Sequence, residues 1–436
     1  MIRLIYNLLF PLALLVFLPG YVVKMLRRGN YRDKFGQRLG FYDRTTRAAL
    51  AGEERTWLHA VSVGEVMIAL KLAAKMKTRE PNLRIALTVT TTTGFALACR
   101  QVPEWIEVLY TPLDFWPVMR RAFDVIRPRR IVLVEAEVWP NLTALAQRRK
   151  VPIALVNARL SPRSEKRFRQ FRWFVRPYFQ KLDLICVPEQ EDVGRWQSLG
   201  VTPDRIERVG SIKFDPEDAK PCPEIPRAIL GTLGVDPTRP ILLAGSTHPG
   251  EEEILARVFL ELRRQFPGLF LLVAPRHVER TREIANQLRN LGLSSVRRSE
   301  PATGRATDCL LLDTTGELRN WYCVGTIVFI GKSLTASGGQ NPVEAIVADC
   351  PVVFGPHMEN FAALARDLVV AGGAIQVGDA TALTSTFSRL LSDESKRQSL
   401  VHQARNVLQQ HQGATERTAE LLEDLASTLP GGRLCR

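Results

Sequence analysis

Apolar positions in this chain fall into short unbroken runs and do not alternate with polar ones. After Tyr42, the runs TWLHAV (56–61), LRIALTVT (83–90), RIVLVE (130–135), PIALVNA (152–158) and DLICVP (183–188) each have the length of a strand, and helical patterns such as VMIALKLAAKMK (66–77) lie between them. Near-continuous apolar strands separated by amphipathic helices predict a parallel sheet covered on both faces. The same logic starts again at PILLAGS (240–246) and continues through LFLLVAP (269–275), CLLLD (309–313), TIVFIG (326–331) and PVVFG (351–355). Between the two series, DPEDAKPCPEIPRAILGTLGVDPTRP (215–240) is dense in proline and charge and predicts a linker. A chain of 436 residues exceeds what one core usually supports. The expectation is therefore an α/β protein with two doubly wound, Rossmann-like domains facing a cleft, the first over 24–214 and the second over 241–425. Ligands are expected beyond the carboxyl ends of the strands.

The start of the chain breaks this pattern. Residues 4–23, LIYNLLFPLALLVFLPGYVV, carry no charge and one Asn. Twenty helical residues rise about 30 Å, the thickness of a bilayer core. The flank PGYVVKMLRRG offers no convincing small-residue cleavage site, which argues against a signal peptide. A spanning signal-anchor, a helix lying in the interface and a buried first helix are the alternatives, with Pro11, Pro19 and Gly20 weakening a straight span. Lys24, Arg27, Arg28, Arg32, Lys34 and Arg38 follow, so the expectation is a membrane anchor over 1–23 with the rest on the cytoplasmic side.

Charge sharpens the picture. Lys and Arg exceed Asp and Glu to give a net +14, which favours an anionic partner. Seven scattered cysteines without a C-x-x-C pair exclude a zinc ribbon or disulfide scaffold, and six histidines without metal spacing give no reason to expect a protein-bound metal. The motifs G-x-x-x-x-G-K-[ST] and G-x-G-x-x-G are absent, which argues against a P-loop NTPase and a dinucleotide enzyme.

Candidate chemistry sits where strands end. In TASGGQNPVEA (335–345), Gly338 and Gly339 turn the chain, Asn341 suits an N-cap, Pro342 the first helical position, and Glu344 lies in capping-box register. Such a turn either merely caps a helix or receives a phosphate on its N–H groups, and Glu344 is free for a ribose diol only if it does not cap. AGSTHPGEEE (244–253) is the same device after another strand. LVAPRHVER (272–280) puts Arg276 and His277 at a strand end, and DTTGELRNWY (313–322) adds a glycine turn followed by Glu317. In the first half, HAVSVGEVMIA (59–69) carries Glu65 in a first helical turn, VEAEVWPN (134–141) carries Glu135 and Glu137, VNARLSPRSEKRF (156–168) carries Asn157, Arg159, Ser161 and Arg163, and GSIKFD (210–215) carries Lys213. Each acid has a structural explanation of its own, as a dipole partner or a backbone cap. Together they form the inventory of a catalytic edge.

SVGE (62–65), EAEVWPNL (135–142), NARLS (157–161), GSIKFD (210–215), GSTHPGEE (245–252), APRHVER (274–280), GELRNWY (316–322) and GGQNPVEA (338–345) resemble, in order and spacing, the motifs of the 3-deoxy-D-manno-octulosonic acid (Kdo) transferases. The resemblance runs to about residue 425. It implies a GT-B glycosyltransferase fold and an inverting, metal-independent transfer of Kdo from CMP-Kdo to a lipid A precursor, a tetra-acylated disaccharide bisphosphate, at the inner membrane in lipopolysaccharide biosynthesis. It further implies Glu65 as proton acceptor and Glu135 and Lys213 as transition-state stabilisers. CMP binding would fall to Pro275, Arg276, Thr315, Gly316, Glu317, Asn341, Pro342, Val343 and Glu344. Gln37 and Gln340 depart from the Glu and His that many relatives carry. Two rivals are a membrane-tethered binding protein without catalysis, for which no nucleic-acid-binding motif speaks, and a GT-B enzyme using another sugar nucleotide.

Overall fold

The apolar runs are strands buried on both faces. A computed structural model describes residues 2–28, 34–135, 138–160, 162–216, 221–300 and 307–427, without the side chains of 17–19, 21–28 and 162–163. Glu137 and Ser161, the Arg163 side chain and most of the basic flank at 24–32 thus lie outside the described residues. Seven parallel strands build the first sheet: β1 (Arg55–Ala60), β2 (Ile85–Val89), β3 (Ile106–Tyr110), β4 (Pro128–Val134), β5 (Ile153–Val156), β6 (Leu184–Val187) and β7 (Ile206–Arg208). Seven more build the second: β8 (Ile241–Thr247), β9 (Phe270–Pro275), β10 (Ser295–Arg297), β11 (Cys309–Leu311), β12 (Ile327–Ile330), β13 (Val352–Phe354) and β14 (Ala374–Gln376). The orders are β3-β2-β1-β4-β5-β6-β7 and β10-β11-β9-β8-β12-β13-β14. Each sheet therefore reverses its direction of growth once, between β1 and β4 and between β8 and β12. Such a reversal opens a crevice at the carboxyl edge, where α/β sheets bind ligands.

Alternation along β1 shows how the core is built. Leu58 and Ala60 join Val66, Leu72 and Leu87 on one face, and Trp57 packs with Phe123, Leu133 and Trp196 on the other. Opposite pleats feed two helical layers, so β1 is apolar without interruption.

The chain divides into two units, one of 1–215 with 413–436 and one of 216–412. The C-terminal helix Ala414–Ser427 thus belongs with the first sheet, which moves the boundary expected at 425. The expected linker carries a helix of its own, Glu224–Thr232. Long-range polar contacts explain the return. Fully buried Arg130 donates to the Leu422 carbonyl at 2.8 Å and to Thr56 Oγ1 at 3.0 Å while pairing with Glu80. Arg79 pairs with Glu416 and Glu423 at 2.9 and 2.7 Å, and the Asp215 carboxylate accepts from the Gly413 and Thr415 amides at 2.8 and 2.7 Å. No local sequence pattern announces such contacts.

The first helix, Ile2–Arg28, corrects an expectation. Among the described residues no helix is long and apolar enough to cross a membrane. Its first turns are instead seated on the first unit. Phe10 stacks on Phe115 at 5.4 Å and Tyr6 meets Phe174 at 6.5 Å. Asn7 donates to Asn141 Oδ1 at 2.9 Å and accepts from the Trp116 amide at 3.0 Å. A segment whose polar residue is satisfied by the domain has one face committed to protein, which a helix threading hydrocarbon alone does not. Its other face, including Leu4, Leu8, Leu12 and Leu15, is exposed.

Candidate active site

Four charged side chains meet beyond the carboxyl edge of the first sheet. Ser62 N-caps the helix Val63–Arg79 and places Glu65 in its first turn. The Glu65 carboxylate accepts from the Val61 amide at 2.8 Å and from the Ser62 hydroxyl at 2.9 Å, so it is oriented by the turn that carries it. Burial pushes its carboxyl above the ordinary glutamate range, and these hydrogen bonds work against that rise. Glu135 follows β4, the strand beside β1, with φ 65°. A glutamate in the left-handed region costs of order 1–3 kcal/mol and persists where its surroundings fix it. Here the Glu135 amide is held by the Val156 carbonyl at 2.9 Å.

Lys213 arrives from beyond β7, the far edge of the sheet. Asn157, also left-handed at φ 51°, accepts from the Ile212 amide and the Ser211 hydroxyl, both at 3.2 Å, and so draws the 210–213 loop toward the end of β5. Burial raises the Glu135 carboxyl first, the Glu65 charge raises it further, and Lys213 and Arg159 oppose both. Burial pulls the Lys213 ammonium down, Glu135 resists, and Arg159 adds to the fall. Two acids and two cations thus share one field, with Glu65 and Glu135 at the reversal between β1 and β4.

In the second unit the expected residues follow strands β9, β11 and β12, which together with β8 are neighbours in the sheet. Pro275 ends β9 opposite Thr247, and the Arg276 amide bonds to the Thr247 carbonyl at 3.0 Å, leaving the Arg276 side chain exposed. Thr315 and Gly316 form an exposed turn after β11, and the Glu317 carboxylate accepts from Arg298 and Trp321, each at 3.3 Å. After β12, Asn341 Oδ1 accepts from the Val343 amide at 3.1 Å. Pro342 and Val343 are buried and Glu344 is exposed.

Two expectations about helix ends change here. The helix after the glycine turn is only Val343–Val347, five residues, too short for a developed dipole. At the start of the helix after β8, Glu251–Leu262, stands an acid: the Glu251 carboxylate, fully buried, accepts from the amide of His248 in the preceding turn at 2.9 Å.

Residues 33–216 match the family model of the 3-deoxy-D-manno-octulosonic-acid transferases (kdotransferases). The 3-deoxy-D-manno-octulosonic acid transferase of Haemophilus influenzae is 32% identical over 398 residues, 90% of this chain and 92% of that protein. That of Bordetella pertussis is 36% identical over 383 residues, 84% and 86% of the two chains. The chain belongs to the Kdo transferase family. It is a glycosyltransferase enzyme, a Kdo transferase. The fold is shared more widely. A UDP-GlcNAc 2-epimerase from Neisseria meningitidis bound to UDP-GlcNAc superimposes with a TM-score of 0.57 at 13% identity over 85% of this chain and 100% of that one, which supports a GT-B-like architecture of two α/β units.

In this Kdo transferase the structure brings Glu65, Glu135 and Lys213 into one group and sets the second-unit residues along adjacent strand ends. Arg159, which the sequence places in the same inventory without a role, joins the first three as the second cation.

Proposed function

We propose that this Kdo transferase takes its sugar from CMP-Kdo and passes it with inversion to a lipid A precursor, the tetra-acylated disaccharide bisphosphate, at the cytoplasmic face of the inner membrane. The observation that supports this most is the charged group itself: a buried acid with a raised affinity for protons, beside an acid and two cations, at a strand-order reversal. Glu65 accepts the proton of the acceptor hydroxyl as that oxygen bonds to the anomeric carbon. The bond from this carbon to the phosphate oxygen breaks, and its electron pair leaves with CMP. Glu135 and Lys213 stabilise charge in the transition state, and Arg276 meets the phosphate. The donor carries a carboxylate on the reacting carbon, which already balances an oxocarbenium-like centre, so one displacement suffices. This reading assigns no resident metal or cofactor and no nucleic acid.

Pro275, Arg276, Thr315, Gly316, Glu317, Asn341, Pro342, Val343 and Glu344 are proposed to hold CMP, with Glu344 on the ribose diol. Asn341 already caps the Val343 amide, and Glu344 is exposed. Glu344→Ala is therefore expected to weaken CMP binding by about 1.5–3 kcal/mol, the range for hydrogen bonds to a charged group. Its melting temperature should be affected much less. Calorimetry beside a melting curve checks this, and a purely thermal effect would return Glu344 to a structural role.

The first helix is proposed to lie in the interface of the anionic inner membrane. Leu8 and Leu12 are 72% and 59% exposed on its free face, and Trp173 of the neighbouring helix Arg172–Phe179 is 67% exposed. An apolar ridge on a chain of net charge +14 suits acidic headgroups. Burying each leucine is worth about 1.5–3 kcal/mol. Replacing Leu8 and Leu12 together by Glu is expected to lower co-flotation with phosphatidylglycerol vesicles at least tenfold. Unchanged flotation would place the anchoring elsewhere.

A further inference from the structure

The second sheet has its own reversal between β8 and β12, and the residues there hold a cation that the CMP assignment leaves out. Lys332 follows β12 with φ 57°. A lysine adopts this backbone only under constraint, and the constraint is Glu251. Its buried carboxylate accepts from the amides of Lys332 at 2.7 Å, Ser333 at 2.9 Å and Leu334 at 3.0 Å, besides that of His248. The Lys332 carbonyl in turn accepts from the Gly339 amide at 3.0 Å, so one residue ties the reversal to the glycine turn.

The side chain follows from this backbone. At Gly338, φ 123°, an added Cβ would stand 3.3 Å from Lys332 Nζ, so the ammonium lies against the turn. Among the described residues, no carboxylate lies within ion-pair distance of it. Arg280 nearby is neutralised by Glu252 at 2.9 Å. Arg276 is exposed beyond the next strand, and the His248 ring sits 5.8 Å from that of His277. Burial first, and then the charges of Lys332, His277, Arg276 and Arg280, hold the His248 imidazolium below the ordinary histidine range. Positive charge is thus gathered around the His248 imidazole and the glycine turn, where the carboxylates are already engaged: Glu251 by four backbone amides, Glu252 by Arg280, and exposed Glu359 by the Gly338 amide and His357. An ammonium left over from such pairing can receive an anionic ligand.

We propose that Lys332, positioned by Glu251, is an additional anion-binding residue of the donor site and contacts an oxyanion of the sugar nucleotide. The inference rests on the reading of the second unit as the donor-binding one. The oxyanion is either the nucleotide phosphate or the carboxylate of the acidic sugar, and both present the same charged oxygens to an ammonium.

The test uses Lys332→Gly, which removes the ammonium at a backbone conformation glycine adopts freely and so preserves folding, and Lys332→Arg, which keeps the charge. Melting curves verify both variants. CMP affinity is read by calorimetry, and KM by steady-state transfer from CMP-Kdo. With Lys332→Gly we expect a loss of about 10- to 100-fold in one of these, largely restored with Lys332→Arg. A loss in CMP affinity identifies the phosphate. A rise in KM with CMP affinity unchanged identifies the carboxylate. If wild-type protein binds CMP and Lys332→Gly changes neither quantity, Lys332 is overturned alone. If wild-type protein binds no CMP, the donor reading falls and this inference falls with it.

Discussion

Glu65→Gln is expected to lower turnover by roughly 10²–10⁴-fold while leaving CMP affinity unchanged. An acceptor hydroxyl has a pKa far above neutrality, so its attack needs a base placed beforehand. The Val61 amide and Ser62 hydroxyl hold the Glu65 carboxylate in one orientation, and burial raises its proton affinity, which brings it nearer the pH at which a base is most effective. Glutamine retains the size and can still accept the Val61 hydrogen bond, so the turn should survive. The pH profile supplies a second readout. The base works only when deprotonated, so wild-type activity should fall as pH drops through a pKa above the ordinary value of 4.5. The residual activity of the variant should lack that acidic limb. Near-normal turnover at saturating acceptor would leave Glu65 as a helix-terminus acid and make Glu135 the next candidate.

Lys213→Met should cost about 10²–10³-fold in turnover, the usual effect of deleting one preorganised electrostatic contact to a transition state. Lys213 is the cation that most strongly opposes the rise of Glu135. Removing it takes positive charge from the reacting centre and leaves Glu135 beside Glu65 with Arg159 as the remaining counter-charge. The two losses are coupled, so the double variant with Glu135→Gln should lose much less than the product of the single effects. CMP calorimetry should be unmoved in all three, because these residues belong to the first unit. Strictly multiplicative effects would show that Lys213 and Glu135 act apart, and full turnover without Lys213 would make it purely structural.

Most of both sheets was legible because their central strands are buried on both faces and therefore written as unbroken apolar runs. The edge strands β3, β7, β10 and β14 were not. SVR at 295–297 and IER at 206–208 are half polar, since an edge strand needs burial on one side only. Glu65, Glu135 and Lys213 were legible one at a time, the two acids at the ends of predicted strands and Lys213 in GSIKFD just before the expected linker. Their convergence was not, because it depends on Asn157 drawing in a loop from beyond β7. The helix Ala414–Ser427 packs on the first unit through Arg79 and Arg130, contacts that span most of the chain and leave no local trace. The apolar start invited a bilayer span by its length. Asn7, a single polar residue, is what seats its first turns on protein.

The most direct measurement incubates the purified full chain with CMP-Kdo and tetra-acylated lipid A disaccharide bisphosphate in detergent, with CMP release and product mass followed together. The expected result is an acceptor heavier by whole Kdo units, one CMP released for each, and both signals lost together with Glu65→Gln. CMP release without a heavier acceptor, or a heavier acceptor formed only from another sugar nucleotide, would contradict it.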